Sequence, residues 1–198
     1  IKLMDFLSEY INPKSLIIIR KWEKEFGVHI SLSKNNKSRL GVFIPKIGEK
    51  NVIKINKTLN QYSFLITLVH EMAHASTWKK YRRKVKPHGS EWKEEFRKMI
   101  LPFINPSFFP NDILMKLSAH LLNPAATTVR DIELTKVLKK YDNKDVITVS
   151  EILDGDEFKI NNGQQFIRIC KLRKNYKCQE ISTQKLYRFS PLSEITPL

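Results

Sequence analysis

Cysteine, glycine, histidine and acidic residues are all scarce in this chain of 198 residues, and the scarcities exclude whole classes of protein. Two cysteines cannot make a disulfide framework, and free thiols are expected. No repeat or low-complexity tract is present, and nothing in the composition points to disorder. No apolar run approaches the roughly 18 residues of a membrane span. The first residues lack the basic-then-apolar pattern of a secretion signal, so the expectation is a cytoplasmic protein with no membrane segment. The chain opens on Ile1 rather than Met, which leaves room for preceding residues.

What is present is a globular composition, 41% hydrophobic and 10% aromatic, long enough for one domain with an appendage or two small ones. Against 20 Asp and Glu stand 35 Lys and Arg, a net charge of +15 that favours an anionic partner. A single lysine is ordinarily just solvated, so clustering carries that argument.

Asn12-Pro13 before residues 14–26 and Gly27 after them have a helix's punctuation: a side-chain cap, a first-turn proline and a terminal glycine. Residues 28–32, 40–44 and 51–55 read as short strands with polar turns at 35–36 and 46–50, predicting a small, largely antiparallel sheet. A helix over 62–78 has Leu65, Leu68, Val69, Met72 and Ser76 as its core stripe. A second begins near Gly89-Ser90, with Trp92, Phe96, Met99 and Ile100 on one face, and helical spacing returns over 111–122 and 128–141. From about Val146, β-branched and aromatic residues alternate with polar ones. A boundary near 142–145 then divides an α+β domain, 1–143, from a small basic β module, 144–198. Within the module, 166–172 and 176–182 form a predicted hairpin turning at 173–175, with Cys170 facing Cys178 and Arg168 facing Glu180.

The chemistry concentrates in Val69-His70-Glu71-Met72-Ala73-His74-Ala75. Histidines four apart lie one helical turn above each other, so both imidazoles can reach one metal ion. Glu71 beside them can take a proton from an attacking water and return it to a leaving group. The plain alternative is a pair of half-buried, hydrogen-bonded histidines on an amphipathic helix. A catalytic zinc usually has three protein ligands, and three other histidines are available. His29 falls in a predicted strand and His120 on a late helix face, as structural or surface residues. His88 stands at a helix entrance after a connection long enough to turn back, and is the best-placed third ligand.

His70-Glu71-Met72-Ala73-His74-Ala75 followed by His88-Gly89-Ser90-Glu91-Trp92 resembles the signature of the SprT-like zinc metallopeptidases. Ser38-Arg39-Leu40-Gly41-Val42-Phe43 and Val52-Ile53-Lys54-Ile55-Asn56 resemble the strand pair before that family's metal helix, so the likeness runs from about Trp22 to Leu101. The resemblance implies a zincin-like fold, one catalytic Zn2+ held by His70, His74 and His88, Glu71 as general base, and work on proteins associated with DNA. It also implies that substrate lies as an added strand along residues 39–43. Tyr81 is a further candidate oxyanion donor. Many relatives carry a four-cysteine zinc ribbon after this domain; Cys170 and Cys178 lack CxxC spacing, so the β module is expected in its place without a second zinc.

Six of the eight residues 79–86 are basic: Lys79, Lys80, Arg82, Arg83, Lys84 and Lys86, expected as a loop near the site. Arg168, Lys171, Arg173, Lys174 and Lys177 form a second cluster on the C-terminal hairpin, where Tyr176, Tyr187 and Phe189 are either stacking platforms for bases or the module's core. Both clusters suit a DNA backbone without sequence preference. The expected protein is thus a monomeric, DNA-associated zinc endopeptidase. The competing readings are a nucleic-acid-binding protein with an idle or structural zinc site and a general cytosolic peptidase.

Overall fold

In the computed structural model, which describes residues 5–34, 40–122, 124, 131–142 and 147–198, the first helix follows its sequence punctuation. Helix α1, Pro13–Phe26, starts where the Asn12 side chain accepts from the Ser15 N–H, and ends at Gly27, whose φ of 62° suits a residue without a Cβ. Strands β1 (Val28–Ser33), β2 (Gly41–Ile44) and β3 (Asn51–Asn56) follow. Helices α2 (Gln61–Tyr81), α3 (Ser90–Ile100), α4 (Asn111–Leu122) and α5 (Ile132–Lys139) complete the first of two compact units, Ile1–Asp142. No helix among the described residues is long and apolar enough to cross a membrane.

The three-stranded sheet has the order β1-β3-β2 and is mixed, a correction to the expected antiparallel pattern. Strands β2 and β3 form an antiparallel hairpin, whereas β1 docks parallel on the other side of β3, Val28 opposite Asn51 and Ser33 opposite Asn56. Alternation of apolar and polar residues is the same in parallel and antiparallel strands, so it shows which face is buried and nothing about direction. Strand β3 is central, with Ile53 and Ile55 fully buried, and β2 is left at an edge.

Helix α2 is longer than its apolar stripe and extends through Tyr81, so Lys79 and Lys80 are helical rather than part of a loop. Asn60 caps it by accepting from the Tyr62 and Ser63 N–H groups, and its Nδ2 donates to the Leu138 carbonyl and to Asp142. That single side chain ties the start of α2 to the end of α5. Residues 64–77 of α2 are buried at every position but His74, because the sheet and the other helices surround it. Helix α5 begins at Ile132, capped by Asp131; the predicted start at 128–130, the turn at 35–36, the strand residues Ser38 and Arg39, and the boundary residues 143–145 lie outside the described residues.

The second unit, Asn143–Leu198, is a six-stranded antiparallel sheet built from β4 (Ile147–Thr148), β5 (Glu157–Lys159), β6 (Gln165–Lys171), β7 (Tyr176–Glu180), β8 (Leu186–Phe189) and β9 (Glu194–Pro197), in the order β4-β9-β5-β6-β7-β8. Val149, Phe158, Phe166, Tyr176, Cys178 and Ile195 form its core, with Phe189 packed against it. The β6–β7 register differs from the predicted one: Lys171 faces Tyr176, Cys170 faces Lys177, and after an irregularity between Arg168 and Cys170, Arg168 faces Cys178 and Phe166 faces Glu180. The turn takes one residue more than expected and a bulge takes another, which together shift the pairing by two. Cys170 and Cys178 are both free thiols, and burial pushes the Cys178 thiol up to about 11.

Arg168, two residues from Phe166 on the same strand, shares its inward face. Its Nε donates to Asp154 at 2.7 Å, its Nη1 to the Val149 carbonyl at 3.0 Å, and its guanidinium lies 4.5 Å from the centre of the Tyr176 ring. At 8% exposure it is an interior strut of the unit, not the surface nucleic-acid contact expected of it. Arg168→Ala should therefore lower unfolding stability by about 1.5–3 kcal/mol, the worth of hydrogen bonds from a charged donor. Lys174→Ala should change it by less than about 0.5 kcal/mol; urea denaturation followed by circular dichroism checks both.

Candidate metal centre

Helix α2 presents His70 and His74 one turn apart, and the connection to α3 brings His88 back to them. His88 has a φ of 59°, a left-handed conformation uncommon for a residue with a side chain, and Gly89 then starts α3. The His88 Nε2 lies 3.2 Å from the His70 Nε2 and 2.9 Å from the His74 Nε2, and donor atoms of all three residues lie within 4.8 Å of one another. One imidazole nitrogen has either a single lone pair or a single hydrogen, so two such contacts on one atom suit a shared ion better than hydrogen bonding. Nitrogens bound to zinc at about 2.0–2.1 Å in tetrahedral geometry are about 3.3 Å apart, close to both distances. The donor set therefore fits a zinc-type ion.

Burial keeps His70 and His74 in the neutral form that binds metal. Desolvation, with repulsion from His74, His88 and His120, holds His70 well below its ordinary 6.5, and desolvation with repulsion from His88 lowers His74 to about 3. Trp92 of α3 walls the cluster, its ring centre 4.5, 5.2 and 4.6 Å from those of His70, His74 and His88, with Phe96 stacked on it and edge-on to His70. The remaining histidines are not among the converging donors: His29 is exposed on β1, and His120, near enough to act on His70, is buried and bonded to Asp131 at 2.9 Å.

Glu71 is buried beside His70, against the edge strand. A Cβ placed on Gly41 of β2 would come within 2.7 Å of the Thr67 methyl and 3.0 Å of both Cγ and Oε1 of Glu71. Only glycine lets β2 approach this closely, and the approach puts the sheet edge next to the carboxylate.

One further group, Glu95, was not singled out from sequence. Glu95 of α3, 6% exposed, accepts from the Ser76 hydroxyl at 2.5 Å and from Lys80 Nζ at 2.6 Å, clamping α3 to α2. Burial acts to raise its pKa, but the Lys80 and Ser76 hydrogen bonds outweigh it and the net shift is downward. Its signal was an acid on the same arc as the Trp92, Phe96 and Met99 stripe, matching the polar Ser76 in the stripe of α2. Three cations of the 79–86 cluster likewise have internal partners. Lys80 holds Glu95, Lys79 donates to the Glu25 carbonyl at the end of α1 and lies over Phe26, and Arg82 lies over Trp78. Arg83, Lys84 and Lys86 are exposed.

Two histidines and a carboxylate on a buried helix, a third histidine from the following connection and a sheet edge alongside define an α+β domain built around one candidate metal centre. The model of the SprT-like family matches residues 5–105, half of the chain, and the chain belongs to the SprT-like family. Membership supports a zincin-like fold and suggests a zinc-associated, metallopeptidase-like function for this region. No curated protein matches the chain.

Replacing His88 by Ala should cut bound zinc by at least about tenfold in affinity, read by elemental analysis and chelator competition; the same change at His29 should leave it unaltered. The pH dependence of the metal-free protein follows from the histidines' direction of shift. Their folded pKa values lie below 6.5, so the unfolded chain binds more protons between the two values, and stability falls as pH drops from about 6.5 toward 3. Thermal unfolding across that range checks it.

Proposed function

We propose that this chain is a zinc-dependent endopeptidase that acts on proteins associated with DNA. The observation that carries the reading is the convergence of the His70, His74 and His88 Nε2 atoms beside the buried carboxylate of Glu71. These three histidines would hold the ion. When bound, zinc supplies Lewis acidity, which acidifies water and polarises a carbonyl. The chain supplies the rest.

Glu71 takes the proton of the attacking water and passes it to the leaving amine. A structural three-histidine site has no need of such a carboxylate, and its presence favours hydrolysis. Strand β2 is an edge, with its Gly41 against Glu71, so an extended substrate added along β2 would run past the base. Backbone pairing of that kind accepts many sequences, which suits an enzyme that meets varied proteins. The DNA half of the proposal is supported by the net charge of +15 and by exposed Arg83, Lys84 and Lys86 on the connection that carries His88.

The test incubates zinc-loaded protein with a DNA-bound protein substrate, with and without DNA and with and without a chelator. Cleavage that needs zinc and rises with DNA is expected. Equal cleavage with and without DNA at low salt would remove the DNA role, and cleavage that survives the chelator would remove the metal mechanism. Glu71→Gln should retain zinc and lower kcat by about 10²-fold or more, read by single-turnover cleavage beside metal content.

A further inference from the structure

Charge in the C-terminal unit is segregated along the chain. Residues 165–189, spanning β6 to β8, hold seven Lys and Arg against the single acid Glu180, while most of the unit's other acids lie before residue 158. The structure also sorts these groups by face. Glu180 is buried, with its carboxylate accepting from Thr183, Gln164 and the Tyr187 hydroxyl. Arg168 is buried and bonded to Asp154. Neither takes part in the outward surface.

On that surface Lys177 of β7 stands directly opposite Arg188 of β8 and, on its other side, Cys170 of β6. The next row on the same face is Ile167, Gln179 and Leu186, the last 56% exposed. Like charges directly opposite each other on neighbouring strands are destabilising unless something neutralises them. Among the described residues neither Lys177 nor Arg188 has an acidic partner. Arg173 and Lys174 are exposed in the adjoining turn, whereas Lys171, opposite Tyr176, belongs to the other face.

We propose that this outward face of β6, β7 and β8 binds the phosphate backbone of nucleic acid, with Lys177 and Arg188 at its centre. This rests on the nucleic-acid half of the proposed function and locates it on a unit beyond the residues that the family match covers. The unit's aromatic residues are on the other side of the sheet. Tyr176 pairs with Phe189, Tyr187 pairs with the buried Cys178, and Phe166 meets Tyr187 and Phe189 edge-on. With no ring on the Lys177 face to stack on unpaired bases, contact is through phosphate alone. Single strands and duplexes are therefore bound alike, without sequence preference and with steep salt dependence.

The experiment measures fluorescence anisotropy of short labelled single-stranded and duplex oligonucleotides with the full chain carrying Glu71→Gln, so that binding is read without cleavage. The added pair Lys177→Gln and Arg188→Gln should weaken binding about tenfold and reduce the slope of log K against log salt by about 2, near 0.9 for each lost phosphate contact. Lys177→Arg with Arg188→Lys should restore both, and an unchanged thermal midpoint confirms folding. Several outcomes overturn the proposal: unchanged affinity in the Gln pair, a strong single-strand preference, or retention on phosphatidylserine vesicles but not on oligonucleotides. Loss of binding only on Arg83→Gln, Lys84→Gln and Lys86→Gln would move the contact to the other unit and overturn it too. Zinc-dependent cleavage of a DNA-free protein by the Gln pair in a chain that keeps Glu71 is read in parallel. If cleavage occurs and the Gln pair binds oligonucleotides as tightly as its parent, the face fails alone; if the pair loses binding and cleavage never occurs even with Glu71 present, the peptidase reading fails alone.

Discussion

Burial of polar side chains along helix α2 is the constraint on which the first unit depends. His70, Glu71, Thr67 and Ser76 all lie on a helix surrounded by the sheet and other helices. Each such group is costly to remove from water unless something answers it, so neighbours are required at defined places. His88 answers the two imidazoles, and Glu95 answers Ser76. Bare backbone at Gly41 lets the sheet close over Thr67 and Glu71. The chemical site and the packing of α2 against α3 and β2 are consequently one arrangement.

The excess of positive charge divides between structural and surface uses. Lys79, Lys80 and Arg82 lie within the basic cluster by sequence, yet their long side chains reach a helix terminus, a buried carboxylate and an indole. A cation at a helix C-terminus meets carbonyls that have no partner within the helix, which makes Lys79 a natural stop for α1. Arg168 does comparable work inside the second unit. Net charge thus overstates the surface open to an anion, and the cations that remain exposed are fewer and more sharply placed.

Legibility from sequence differed by the range of the interaction. The caps at Asn12 and Gly27, the two-histidine helix and His88 as its partner were readable because each depends on spacing within a few residues or on a short list of candidates. The resemblance to SprT-like proteins added the strand pair before the helix, and the family match spans it. The parallel pairing of β1 with β3 was not readable, since a period of two is blind to strand direction. The Arg168 pairing was missed for a related reason: one additional turn residue and one bulge leave no hydrophobic mark, yet they decide which side chains stand opposite one another.

The sequence by itself determined the chemistry on offer: three histidines and a carboxylate at spacings that one helix and one return of the chain can bring together, and a surplus of cations in two clusters. Only the tertiary structure decided which groups meet. It placed Gly41 against Glu71, joined Glu95 to Ser76 and Lys80, and gave Arg168 Asp154 and the Val149 carbonyl as partners while leaving Lys177 opposite Arg188. Local spacing acts through backbone geometry common to all helices and strands, whereas these meetings depend on how distant elements pack, which no window of neighbouring residues contains.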